Sequence, residues 1–202
     1  DKAIFGYGST GSYTAITNLV SNSGVIATDV SGVGTVRNTL AAAGYGGDKA
    51  IFGYGQAGSD LSMTNLVNSS GVVAADVTGV GTARNSLAAT GYGGDKAIFG
   101  YGRQPSVLSI TNLVTNVGVV GTDVTGVGTA RFSLAATVYG TDKAIFAYGY
   151  TTGYVSMSNL VSNSGVVAAD VTGVGSVHDG LAAAGYGGDK AIFGYGGTTP
   201  GH

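Results

Sequence analysis

Apolar residues along this chain come in short runs broken by Gly, Ser, Asn and Asp. In the first run, KAIFGYG (2–8), Ala3, Phe5 and Tyr7 alternate with Ile4, Gly6 and Gly8. A period of two predicts a strand, here with one bulky and one nearly flat face. YTAITNLVS (13–21), GVIATDVSG (24–32) and VRNTLAAAGYG (36–46) follow in the same manner. Val, Ile, Thr, Tyr and Phe fill them and turn formers bound them, which is the strand signature. Ala41, Ala42 and Ala43 do not open a helix, because Gly44 and Gly46 follow at once and each Gly costs a helix about 1 kcal/mol against Ala. The chain is predicted to be all-β.

The pattern repeats. DKAIF begins at Asp1, Asp48, Asp95, Asp142 and Asp189, a constant spacing of 47 residues. The units are therefore 1–47, 48–94, 95–141 and 142–188, with a partial copy at 189–202, and together they read as a single repeat domain. Four strands in each unit suit a four-stranded blade of a β-propeller. Gly46, Gly47 and Asp48 form a tight turn that makes the fourth run and the next KAIF neighbours, since Gly supplies the positive φ such turns need.

Starting from the Arg, one unit reads RNTLAAAGYGGDKAIFGYG (37–55). This resembles the kelch repeat, of a Gly-rich sort similar to repeats in phage and environmental-virus proteins. Arg37, Arg84 and Arg131 match the Arg near the blade start, Ala41 to Tyr45 the inner strand, and Ile51 to Gly55 the second strand, with GYG where a Gly doublet is usual. The kelch Trp of the fourth strand has no counterpart, since the chain contains no Trp. The resemblance implies a kelch-like propeller of four blades, with whole blades at about 35–81, 82–128 and 129–175 and the strand at 181–187 closing the blade begun by 1–34. Five copies of the DKAIF strand stand against four of every other. The copies at 1–8 and 189–196 thus compete for one place, and self-association through the terminal strands is expected.

Composition narrows the chemistry. At 44% apolar the chain can bury a core, which excludes a disordered tail. Cys is absent and His numbers 2, which excludes thiol catalysis, disulfides and most zinc sites. No cofactor and no metal is expected. A net charge of −2 offers no field for a phosphate backbone, so nucleic acid is not an expected partner. No 18-residue apolar run is present, and membrane insertion is not expected. Asp29, Asp76, Asp123 and Asp170 recur in register and read as turn caps or partners of the blade Arg. Nine of the twelve Tyr sit in the repeated GYG-type positions, where packing between blades explains them. Neither His178 nor His202 has a nucleophile and base around it, so the chain is read as no enzyme.

The residues that break the repeat carry more information. Tyr13, Asp60, Arg103, Pro105, Tyr150 and Tyr154 lie between the second and third strands, while Phe132, His178 and Asp179 lie where the next blade begins. In an up-and-down blade both connections emerge at the same end. Tyr13, Asp60, Arg103, Tyr150, Tyr154 and His178 are therefore expected to form one solvent-accessible binding face for a glycan or protein surface. The alternative is a structural protein of a virion or extracellular fibre that uses its repeat edges for protein contacts, which a mean hydropathy of +0.28 favours. Both readings favour an extracellular or virion-associated setting.

Overall fold

A computed structural model describes residues 2–198; His202 lies outside the described residues. Among these the chain forms strands and no helix. The strands are β1 (Ala3–Ser9), β2 (Tyr13–Val20), β3 (Ala41–Tyr45), β4 (Lys49–Gly53), β5 (Thr64–Val67), β6 (Ala88–Tyr92), β7 (Lys96–Gly100), β8 (Arg103–Gln104), β9 (Ser106–Val107), β10 (Thr111–Val114), β11 (Ala135–Tyr139), β12 (Lys143–Ala147), β13 (Ser158–Val161), β14 (Ala182–Tyr186) and β15 (Lys190–Gly194). They make three antiparallel three-stranded sheets, β3-β4-β5, β6-β7-β10 and β11-β12-β13, flanked by the pairs β1-β2 and β14-β15. The small β8-β9 ribbon projects from one connection.

The Gly-Gly-Asp turn behaves as the sequence demands. Gly46 and Gly47 have φ of +61° and +80°, and Tyr45 pairs with Lys49 across them. Successive turns are also tied to one another: Gly46 N–H donates to Asp95 C=O, and Gly93 N–H to Asp142 C=O, both at 2.7 Å.

The outer run of each unit, GVIATDVSG at 24–32 and its repeats, is the first departure from expectation. The run after each β5-type strand forms no ladder with it, only two isolated bridges, Val67 with Val73 and Thr64 with Val77, so each of these sheets holds three strands and a bridged outer segment. The reason is a side chain. Asn65 inserts its amide between the two chains and donates to Ala74 C=O at 3.0 Å and to Asp76 Oδ1 at 2.9 Å. The Asn side chain thereby takes a carbonyl that a regular ladder would have used.

Sheets pack in chain order. Tyr54 meets Phe99 of the next sheet edge-on, with ring centres 5.1 Å apart, and Tyr101 meets Phe146 at 5.2 Å. Gly at the end of the second strand makes this possible, because a Cβ on Gly53 would stand 2.7 Å from the Phe99 ring. The fourth unit carries Ala147 there, and its Tyr148–Phe193 pair is wider, at 5.7 Å. Each rung lies inside one core cluster, the first around Ile51, Tyr54, Phe99 and Val114 and the second around Ile98, Tyr101, Phe146 and Val161.

Closure of the ends is the second departure. Among the described residues β14 pairs with β15 and β1 with β2, and no ladder joins β14 to β1. The two terminal KAIF copies therefore do not compete for one place. Each has its own two-stranded sheet, and the sheets follow one another without the described ends meeting.

Candidate functional site

Two polar systems run through the array. The first is internal. Arg37, Arg84 and Arg131 are fully buried, each beside the Tyr ring of the preceding sheet. Arg84 donates from Nε to Tyr101 C=O, from one terminal nitrogen to Thr82 C=O, and from the other to Asn112 Oδ1 at 2.8 Å. Burial pulls the pKa of each Arg down, opposed by the neighbouring Tyr and Asp. The same burial pushes the phenols of Tyr54 and Tyr101 up.

The recurring Asp belongs to this system. Asp123 accepts from Thr82 N–H, from Thr82 Oγ1–H at 2.7 Å and from Asn112 Nδ2. Thr82 precedes the first strand of the sheet and Asp123 lies on its outer segment, so the pair latches the incoming chain onto the sheet. Burial alone would raise the Asp123 carboxyl, but the bonds from Thr82 and Asn112, with Arg84, outweigh it and hold the carboxyl below its ordinary range. Asp76 and Asp170 repeat the arrangement. These carboxylates are committed to the latch. Among the described residues no group of His, Asp and Glu is placed to hold a metal ion.

The second system is on the surface and gathers residues that depart from the repeat. Asn85 Nδ2 donates to Asp60 Oδ1 at 2.6 Å, and Arg103 Nε donates to Asn85 Oδ1 at 3.3 Å. The Arg103 guanidinium carbon then lies 4.6 Å from the centre of the Phe132 ring. Phe132 packs on Tyr150 at 5.6 Å, and Tyr150 meets Tyr154 edge-on at 5.1 Å. Backbone bridges hold the row in register: Asn85 with Arg103, Phe132 with Tyr150, Tyr150 with Tyr154, and Val155 with His178. The result is one continuous strip across successive sheets. Arg103 is exposed, and Asp60, Phe132, Tyr150, Tyr154 and His178 are half-buried. Burial, with Asp179 and Tyr150, raises the Tyr154 phenol.

Tyr13 stands apart from the strip, and His178 reaches it only through its backbone bridge to Val155. Tyr13 is exposed and pairs with Ser9; it occupies the position equivalent to Asp60 and Tyr154, on the first sheet, and makes no contact with the strip. His178 stands in the Arg slot of its unit, where its Nδ1 lies 2.9 Å from Ser176 C=O and its ring meets Tyr148. Asn85 is the strip residue that sequence reasoning passed over, because Asn38 and Asn85 look like an ordinary repeat until Phe132 and Asp179 replace them.

Comparison with protein-family models and with curated proteins finds no match for the chain.

Proposed function

We propose that the chain is a non-enzymatic recognition module that binds a glycan or a similar surface polymer along the strip from Asp60 to Tyr154. The units are read as kelch-like blades, set in an open series rather than a closed ring. The observation that carries the binding reading is the unbroken contact row Asp60, Asn85, Arg103, Phe132, Tyr150 and Tyr154, built from positions where the repeat varies. Half-exposed rings give an apolar bed for the C–H face of a sugar. Arg103 spends Nε on Asn85, and its two terminal nitrogens have no hydrogen-bond partner among the described residues, which leaves donors for hydroxyl or carboxylate oxygens. A glycan array probed with the full chain tests the reading, beside Tyr150→Ala and Arg103→Ala. Binding that both substitutions abolish supports it. Uniform silence, or binding that neither alters, overturns it.

A second reading, a structural protein of an extracellular or virion assembly, is favoured by the outer segments. Val25, Val72, Val119 and Val166 recur in register there, each more than half exposed. A periodic apolar ridge of this kind suits protein contacts, and serine substitution of all four tests it by loss of association.

A further inference from the structure

We propose that the groove beside β1 receives β14 of a second copy of this chain, so that molecules join head to tail by exchanging a strand. The groove measures about 530 Å³ and is lined by, among others, Ile4, Leu19, Ala43, Val67 and Gly71. The positions 47 residues further on are Ile51, Leu66, Thr90, Val114 and Gly118, and these surround β3. Ala43 and Tyr45 of β3 share a core cluster with Ile51 and Val114, Leu66 packs against it, and Tyr45 closes over Gly118, where a Cβ would stand 2.9 Å from its hydroxyl. The groove therefore has the lining of a first-strand seat, and it faces the edge of β1 that does not pair with β2.

The segment that fits this seat is at the other end of the described chain. Leu181–Gly196 repeats Leu40–Gly55 residue for residue, so β14 carries the side chains of β3. Their environments differ sharply: Tyr45 is 4% exposed and Tyr186 is 54% exposed. The exchange conserves its ladder. KAIFGYG occurs both at 2–8 and at 190–196, so β14 can release its own β15 and pair with the partner's β1 in the same register, with Gly6 replacing Gly194 opposite Ala182 and Lys2 replacing Lys190 opposite Tyr186. What is gained is burial of β14 in a preformed groove. Phe5, 61% exposed, is also brought onto the Tyr148 ring that Phe193 covers within the single chain. A head-to-tail contact between unlike faces is not used up in a two-fold dimer, so further molecules add to each end.

The test is light scattering over a concentration series. Leu19→Arg fills the groove and Tyr186→Ser weakens the inserted strand; neither residue is fully buried, and circular dichroism confirms that both variants keep their sheet content. The wild-type mass rises with concentration, each variant alone stays at one chain, and their equal mixture doubles in mass and stops, because each supplies the face the other lacks. A labelled peptide of residues 181–188 binds Tyr186→Ser but not Leu19→Arg. Wild type that stays monomeric throughout, or Leu19→Arg that assembles as well as wild type, overturns the proposal. Tyr195 is released in the exchange, so assembly lost in Tyr195→Ser and kept in Tyr186→Ser also overturns it, in favour of stacked end faces.

Discussion

The Arg84 guanidinium carbon lies 4.1 Å from the centre of the Tyr54 ring, which belongs to the sheet before its own. The same stack recurs between Arg37 and Tyr7 at 4.2 Å and between Arg131 and Tyr101 at 4.3 Å. A buried cation is costly unless its donors are used and its charge is faced by something polarisable. Around Arg84 three carbonyl-type acceptors take the fork and a ring takes the face. One Arg thereby joins the preceding sheet, the incoming connection and its own third strand.

Arg84→Met should cost the fold about 2–4 kcal/mol, because Tyr101 C=O, Thr82 C=O and Asn112 Oδ1 lose their donor while remaining largely out of water. Arg84→Lys should recover only part of this, since an ammonium cannot span the three acceptors. Thermal unfolding followed by circular dichroism reads the order, wild type above Lys above Met; a Met variant with the wild-type midpoint contradicts the account.

Acid should weaken the fold through the latches. Asp76, Asp123 and Asp170 have carboxyls held below their ordinary range. A carboxyl lowered in this way stabilises the folded state fully above its unfolded pKa, about 3.9, and the contribution disappears as pH falls through the lower folded value. Stability from these groups is thus flat near neutrality and declines below about pH 4. Asp123→Asn should lose about 1 kcal/mol at pH 7 and show a smaller further loss between pH 7 and pH 3 than wild type. Urea unfolding at both pH values decides it, and an unchanged difference between them would remove the latch from the explanation.

Ser133→Gly should raise stability by up to about 1 kcal/mol, because a left-handed backbone costs a side-chain-bearing residue roughly that much. Ser133 has φ +52°, as do its counterparts Thr39 and Ser86 at +51° and +52°, and the fourth unit already carries Gly180 there at +61°. Ser133 N–H keeps its bond to Ser86 C=O in either variant. A lower midpoint for Ser133→Gly would mean that the hydroxyl contributes more than the backbone strain removes.

Much of this molecule was legible in one dimension. An exact 47-residue period, alternation in KAIFGYG and paired glycines at 46–47 determine short antiparallel strands, their turns and the equivalence of the units, because these follow from local φ preferences and a period of two. The repeat also singled out Asp60, Arg103, Tyr150 and Tyr154 as positions that vary. Three matters were decided only in three dimensions. The outer run at 71–79 reduces to bridges because the Asn65 amide competes for a carbonyl nine residues away in sequence. Tyr13 is left outside the strip because the links that extend the row, Asp60 with Asn85 and Arg103 with Phe132, cross between neighbouring sheets, and no spacing along the chain encodes that pairing. The ends of the series do not meet because the angle between successive sheets is set by how Arg, Tyr and Phe pack across each interface. That angle is a property of the packed interface, and identical repeats are equally compatible with a closed ring or an open array.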